Sequence, residues 1–450
     1  MVNVPRSGRT WVVLPVVLNV RITPVQGLRG TIAAPPDKSI THRAILFAAI
    51  SDGPVRVGNT LDSDDTAATL GAIERCGVVV EGELGGELVI HGVGLRGLKP
   101  PPALDCLNAG TLMRLLTGIL LGQTGDRIVL DGDDSLRGRP MLRIAAPLKA
   151  MGAEILTAPG GTPPLLVAPG LPLTAMAHRL PVASAQVKSC LLLAGLYAHG
   201  TTWVSEPAPS RDHTERMLEA SGVVLLRQDD RVGVSGPVER LRLPDLTVPG
   251  DPSSAGVLIA AGALLADPEI RITGVNLNPS RMGLVRVAER MGAKVTIEPG
   301  DDMAGEPFGD IVIRRSGTLH ATEVTGDEVP SLIDELPLVA LLGVFAAGTT
   351  VVRGAGELRV KESDRVATVV AALRGLGAQI DEREDGFSVR GTGRLVGGEM
   401  SSDGDHRLAM LGALAGLVSY EGVRVQGFDA VNVSYPGFAQ DLARLGAVAT

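Results

Sequence analysis

The sequence predicts an α/β (α+β) protein built from six copies of one unit, three in each of two domains. Three observations predict it. First, a Gly followed by Ala or Val closes an amphipathic run and precedes a β-branched stretch at Gly77, Gly152, Gly222, Gly292, Gly377 and Gly446. Second, an apolar helix begins behind a small or acidic polar residue at Ser39, Thr111, Ser184, Ser253, Asp334 and Asp403, with a similar period. Third, 450 residues exceed what one core supports, since single cores stop growing near about 250–300 residues. Six units of about 75 residues account for that length.

Each unit reads helix, strand, helix, then two short strands. The first opens at PPDKSITHR (35–43), continues into SDGPVRVGN (51–59) and ends its second helix at Gly77. The second runs from LNAGTLMR (107–114) through TGDRIVLDG (124–132) to Gly152, and the third from VASAQVKS (182–189) through HGTTWVSEP (199–207) to Gly222. The fourth takes GDPSSAGV (250–257), ADPEIRITG (266–274) and Gly292. The fifth takes LIDELPLV (332–339), AGTTVVRGA (347–355) and Gly377, and the sixth SSDGDHRL (401–408), YEGVRVQGF (420–428) and Gly446. The closing glycines fit the left-handed position after a helix, which costs little for Gly alone. Asp334 reads as a helix cap. Proline-rich crossings at 34–36 and 248–252 divide the chain into a domain of residues 35–248 and a domain of residues 1–34 plus 249–450, with the first strand returning to the second domain.

Composition narrows the function. Gly 57 and Pro 30 stand beside only 11 aromatic residues, yet 45% of the chain is hydrophobic, so a packed aliphatic core with many turns is expected rather than disorder. The formal charge of −8 opposes binding to nucleic acid, and an RNA-end-modifying enzyme is disfavoured for the same reason. Cys76, Cys106 and Cys190 form no close pair, which fits a reducing, cytoplasmic compartment better than a disulfide framework or a zinc site. The apolar run at 336–347 falls short of the roughly 18–20 residues that span a bilayer. Arg6 and Arg9 precede WVVLPVVLNV (11–20), which imitates a signal peptide. Pro15 interrupts it and no small-x-small site follows, so it reads as an extension or irregular first strand.

Polar residues gather at two places in the repeat. Helix N-termini offer free N–H groups and a positive dipole end to anions, and Lys38, Arg43, Arg114, Lys188 and Arg407 lie beside them. Arg137, Arg139, Arg211, Arg281, Lys361 and Arg365 fall in the connecting segments. Singly, each reads as solvated surface. Together, two facing three-unit domains would bring them into one cleft for a strongly anionic small substrate. Asp334, Glu335, Glu362, Asp364, Asp64 and Asp65 are the acidic candidates for proton transfer, provided they lie among those cations. The histidines of THR (41–43), RDHTE (211–215) and DHR (405–407) lack metal-ligand spacing, and neither a nucleophile elbow nor a Walker loop occurs.

Ten motifs in order, PPDKSITHR, LNAGTLMR, RGRPM, ASAQVKS, RDHTE, GDPSSA, IDELP, RVKESDR, DHRLAM and YPGF, span residues 35–438 and resemble the 5-enolpyruvylshikimate-3-phosphate synthase family. The resemblance implies a two-domain inside-out α/β barrel of six βαβαββ repeats, acting as a monomer without metal or organic cofactor. It implies transfer of the enolpyruvyl group of phosphoenolpyruvate to the 5-hydroxyl of shikimate 3-phosphate, with release of phosphate. Lys38, Ser39, Arg43, Ser184, Gln186, Arg211, Asp334 and Lys361 would hold shikimate 3-phosphate. Lys38, Gly110, Arg139, Gln186, Arg365 and Arg407 would hold phosphoenolpyruvate. Asp334 would act at the 5-hydroxyl, and Glu362 with Lys38 at the enolpyruvyl methylene.

Three positions depart from the family pattern or divide its members. Val433 stands where many relatives carry Lys, which implies one phosphate contact fewer. Ala185 replaces a second Ser. SAQVK with RDHTE resembles a subgroup often tolerant of glyphosate, whereas Gly110 in place of Ala implies sensitivity. Two rival readings are a UDP-N-acetylglucosamine enolpyruvyl transferase and a non-catalytic anion-binding scaffold. The first expects Lys-Asn at the first cap and a Cys on a mobile loop, against Lys38-Ser39 and a Cys106 immediately before LNAGT. Intact Lys38, Asp334 and Glu362 argue against the second.

Overall fold

The structure, a computed structural model, describes residues 18–447. Most of the 11–20 segment lies outside the described residues; within them the first strand is Val20–Ile22.

Two aliphatic cores organise the chain. One is built from residues between Ile40 and Val248, the other from Ile22–Ala34 together with residues from Ala255 onward. The helices follow the repeat in chain order: α1 (Lys38–Ala49), α2 (Asp64–Arg75), α3 (Gly110–Leu120), α4 (Asp134–Arg137), α5 (Leu142–Ala150), α6 (Ala185–Gly195) and α7 (His213–Ala220) in the first half. The second half has α8 (Pro252–Leu265), α9 (Gly283–Arg290), α10 (Leu336–Phe345), α11 (Arg365–Gly375), α12 (His406–Val418) and α13 (Phe438–Arg444). The short α4 has no counterpart in the predicted unit.

Within each half the first helix of every unit is buried nearly all round. In α8 and α12 almost every side chain is hidden, so these helices read as continuous apolar runs rather than as amphipathic stripes. Each buried Leu or Ile contributes about 1.5–3 kcal/mol of transfer free energy. Small residues allow the close packing. A Cβ on Gly118 of α3 would meet the carbonyl oxygen of Cys190 in α6 at 2.4 Å, so only Gly fits there.

The second helix of each unit stops at the expected glycine. Gly77, Gly152, Gly222, Gly292, Gly377 and Gly446 have φ between 86° and 106°, a conformation that disfavours any side chain. Two short antiparallel strands follow in the first five units, for example Val79–Gly82 against Leu88–Val93.

Five of the described sheets have four strands in one pattern: a short strand parallel to the strand after the first helix, then two antiparallel partners. The sixth unit is completed from the other end of the chain, because Val20–Ile22 pairs antiparallel with Val423–Val425. Strand Leu28–Ala33 runs parallel to Ala266–Asn276 in the fourth unit. The two chain crossings are bonded to each other: the Asp37 N–H donates to the Pro249 carbonyl at 2.8 Å, and the Asp251 N–H to the Pro35 carbonyl at 2.7 Å.

Of the six expected helix starts only Ser184 is the observed cap. Asp37, Ala109 and Asp251 precede their helices where Ser39, Thr111 and Ser253 are expected, each two residues early. Two more starts are corrected. Asp403 does not begin the sixth helix; it sits in a turn at φ 49°, and Asp405 is the cap, accepting from the Arg407 N–H at 2.8 Å. Asp334 does not cap α10. It lies in a 3₁₀ turn, Ile333–Glu335, α10 has no side-chain cap, and the Asp334 carboxylate is taken by Arg211, Arg365 and Lys361.

Candidate active site

All six first-helix N-termini meet at one cavity of about 400 Å³. Its wall includes Lys38 and Ser39 of α1, Gly110 of α3, Ser184 before α6, Ser253 of α8, Asp334 before α10, and His406 with Arg407 of α12. Local sequence explains this aim. Asp37, Ser184, Asp251 and Asp405 each cap their helix with a side-chain oxygen on a backbone N–H, fixing where the chain enters and which end faces the gap. The second helix of a unit can contribute too: Arg365 opens α11 behind the capping Asp364.

Nine cationic and six acidic side chains line the cavity. The site is therefore positive, by three charges, in a chain of formal charge −8. Low-dielectric walls strengthen each of these charges relative to water.

Asp334 and Glu362 lie at the centre. Asp334 takes Arg211 at 2.6 Å from the opposite half, Arg365 at 3.1 Å and Lys361 at 3.3 Å. Burial opposes its ionisation, but Lys361, Arg211, Arg365 and Arg407 outweigh that and hold the carboxyl well below its usual range. Glu362 meets Arg365 at 2.7 Å and Arg139 across the cavity at 3.3 Å. Burial again opposes the charge, and the cations Arg365, Arg139 and Lys361 prevail, holding the carboxyl well below its usual range. His406 goes the other way: burial first, then Arg407, Lys38 and Arg365, push its imidazole well below 6.5, so it is neutral. Arg365 is held protonated; burial opposes this, and Asp405, Glu362 and Asp334 overcome it.

Other cations are less satisfied. Arg407 is buried, yet its Nε and Nη1 make no hydrogen bond within the described residues, and the same holds for the Arg139 Nε. Arg139 otherwise donates to the Asn108 side chain at 2.7 Å. Lys38 pairs with Asp65 at 3.0 Å. Gln186 donates to Thr111 at 2.8 Å and accepts from Arg114 at 2.5 Å. Gly110 leaves room for guanidinium groups, since a Cβ there would meet Arg114 Nη1 at 2.8 Å and Arg139 Nη1 at 3.0 Å.

The site residues implied by the family resemblance thus gather in one place with one exception, whereas the wider candidates Lys188, Arg137, Asp64, Glu335 and Asp364 do not line the cavity. Lys38, Ser39, Gly110, Arg139, Ser184, Gln186, Arg211, Asp334, Lys361, Glu362, Arg365 and Arg407 all line the cavity. Arg43 stands directly behind it, donating to the Ser39 carbonyl at 3.0 Å, Ser189 at 3.0 Å and Thr214 at 2.7 Å. Among the weaker candidates, Asp364 caps α11 and pairs with Arg359, while Arg137 pairs with Asp131 on the surface. Sequence reasoning missed Asn108, and it missed Arg143 with Glu357, which face each other at 2.5 Å across the two halves. Nothing in the local sequence distinguishes those three.

The model of the EPSP synthase family, 3-phosphoshikimate 1-carboxyvinyltransferase, matches residues 22–442. The chain is 45% identical over 423 residues to a 3-phosphoshikimate 1-carboxyvinyltransferase of Bacillus subtilis, covering 94% of this chain and 98% of that protein. It is 46% identical over 426 residues to one of Gloeobacter violaceus, with the same coverage. A solved EPSP synthase from Acinetobacter baumannii superposes with a TM-score of 0.84 at 40% identity, over 96% of this chain and 99% of that one. The enolpyruvyl transferase NikO from Streptomyces tendae shares the fold, with a TM-score of 0.78 at 20% identity over 96% and 98% of the two chains. With these matches spanning both halves and the whole cavity, the chain belongs to the EPSP synthase family.

Proposed function

We propose that the protein is an enzyme that transfers the enolpyruvyl group of phosphoenolpyruvate to the 5-hydroxyl of shikimate 3-phosphate, releasing phosphate. The supporting observation is the meeting, in one cavity, of an unsatisfied buried guanidinium, Arg407, with two ionised carboxylates, Asp334 and Glu362. The two substrates together bring about five or six negative charges, phosphate second pKa values being near 6. Cations with free N–H groups and helix N-termini are what such ligands require.

Arg407, Arg139, Arg365 and Gln186, with Lys38 and the open backbone at Gly110, hold phosphoenolpyruvate. Ser39, Ser184, Gln186, Arg211, Lys361, Asp334 and Lys38 hold shikimate 3-phosphate. Arg43 commits three of its five N–H groups to the protein, which leaves two for that ligand. Asp334 removes the 5-hydroxyl proton as the oxygen bonds to C2 of phosphoenolpyruvate, and Glu362 with Lys38 delivers a proton to the methylene carbon. Elimination then reverses the proton movement at the methyl group and breaks the carbon–oxygen bond to phosphate. Both carboxylates are weak bases while cations surround them. Substrate anions engage those cations and so raise the basicity of Asp334 and the proton affinity of Glu362 when both ligands are in place. Closure of the two halves excludes water from the intermediate.

We infer two domains, residues 35–248 and residues 1–34 plus 249–450, because the two cores divide near those positions. A cytoplasmic monomer is the reading supported by the unpaired cysteines and the family resemblance. Among the described residues no helix is long and apolar enough to cross a membrane.

A UDP-N-acetylglucosamine transferase is disfavoured by Cys106, which is fully buried with its thiol pushed up to about 12 by burial, then by Asp105 and Asp131. Such a thiol is inert. Phosphate release from phosphoenolpyruvate with shikimate 3-phosphate, and then with UDP-N-acetylglucosamine, tests the assignment. Release is expected with the first acceptor only; release with the second alone would overturn it.

A further inference from the structure

Beneath the shikimate 3-phosphate side of the cavity lies a buried charge cluster that does not touch the cavity itself. Lys188, one turn into α6, sends its ammonium to Glu206 at 2.8 Å and Glu215 at 2.8 Å, with these side chains only 6–7% exposed. Glu206 lies in the loop between the third unit's first strand and α7, and Glu215 within α7. The Glu206 carboxylate accepts from the Ser184 N–H at 2.8 Å, from the Ser210 hydroxyl at 2.7 Å and from the Ser210 N–H at 3.4 Å. One carboxylate therefore fastens the capping residue of α6 to the residue before Arg211. Thr214, next to Glu215, bonds Ser189 of α6 at 2.6 Å and Arg43 of α1 at 2.7 Å. The same cluster so reaches the residue that supports Ser39.

We propose that Lys188 and Glu206 are positioning residues that set the spacing between Ser184 and Arg211, and thereby the affinity for the phosphate and hydroxyl groups of shikimate 3-phosphate. This rests on the reading that Ser184 and Arg211 hold that substrate. A buried carboxylate with no cation would be costly to ionise and would let go of its N–H and O–H donors. Lys188 prevents this: burial opposes its charge, but Glu215 and Glu206 raise its affinity for the proton. Side chains that touch no ligand can govern one in this way, because displacement of a contact group by about 1 Å costs as much as 100-fold.

The test compares K188M, E206Q, K188R and R211A in the full chain by steady-state kinetics with each substrate varied in turn, alongside thermal melts. K188M and E206Q are expected to raise KM for shikimate 3-phosphate about tenfold or more, with KM for phosphoenolpyruvate and kcat changed less than about threefold. K188R, which keeps the charge, is expected to recover part of that loss. A lowered Tm with both KM values unchanged in K188M and E206Q would make the cluster merely structural and overturn the inference. If K188M does not fold, E206Q, which preserves volume, decides alone. R211A separates the two levels: an unchanged KM for shikimate 3-phosphate would remove the underlying reading. A raised KM in R211A beside unchanged values in K188M and E206Q would remove only the role given to the cluster.

Discussion

The two halves of the cavity wall differ in kind. The half holding Lys38, Arg114, Arg139, Arg143 and Arg211 presents mostly cations, hydroxyls and an amide, with Asp65 as its one lining carboxylate. The half holding Asp251, Asp327, Asp334, Glu357 and Glu362 presents carboxylates, with Arg281, Lys361, Arg365 and Arg407 beside them. Three ion pairs cross between the cavity-lining side chains from a guanidinium of the first half to a carboxylate of the second: Arg211 to Asp334, Arg139 to Glu362 and Arg143 to Glu357. Arg281 to Asp37 links the halves in the opposite sense. Under the proposed function, the first wall mainly reads the substrate anions, while the second supplies the two carboxylates that move protons with the help of Lys38. Their mutual attraction draws the walls together, and substrates must compete with the protein's own carboxylates for the same cations.

Asp334→Asn should break that division most visibly. Turnover should fall about 10²–10⁴-fold, with little change in shikimate 3-phosphate affinity, because Asn keeps the shape and one acceptor. Single-turnover kinetics beside equilibrium binding checks it. A loss confined to binding would place this carboxylate with the reading wall.

A pair away from the cavity sharpens the comparison. His213 of the first half meets Glu306 of the second at 2.6 Å, and Glu306 also accepts from Asn276 and Asn278. Burial opposes its charge, but His213 and these donors bring its pKa down from 4.5 to about 2. A folded value below the unfolded one means the stabilisation is fully present above pH 4.5 and is lost as pH falls towards 2. Glu306→Gln should therefore cost on the order of 2–3 kcal/mol at neutral pH and show a flatter acid limb in that window. Denaturant midpoints measured against pH would reveal it; parallel curves for the two proteins would contradict it.

On the reading wall, Gly110→Ala would press a methyl group against Arg114 and Arg139. Both KM for phosphoenolpyruvate and the glyphosate inhibition constant should rise, by about tenfold, while the shikimate 3-phosphate KM stays within about twofold. Equal inhibition of the two proteins would mean the guanidinium groups move aside freely. The smallest effect is expected from Glu357→Gln at the rim. Its partner Arg143 is 31% exposed and Glu357 29%, so the pair contributes under about 1 kcal/mol. A change in KM below about fivefold, fading at high salt, is the expected outcome of a salt titration.

Much of this was legible in the chain because some residues report on backbone geometry directly. The closing glycines could be read because positive φ is an intrinsic preference, and the cations could be read because they fall beside helix starts. Asp403 and Asp405 lie two residues apart and are chemically alike, so only the dihedral angles select the cap. Asp334 looked like a cap for the same reason, since acidic residues favour that position whether or not a cluster of cations claims them first. Arg143 and Glu357 are 214 residues apart, and Glu206 owes its importance to Ser184 and Ser210. Relations of that kind belong to the assembled fold and leave no mark on any single segment.

The bonded crossings at Asp37 and Asp251 also fix an order of events during synthesis. The first half is a continuous stretch whose two ends meet, so its core is complete once residues near 248 have left the ribosome. Strand Val20–Ile22, by contrast, finds its partner only at Val423–Val425, which at about 5–20 residues per second leaves it waiting roughly 20–80 s. The earliest strand among the described residues is thus among the last to be paired. A nascent chain halted midway should already protect residues 40–248 from protease while its leading strands remain open to cleavage, or to capture by a chaperone.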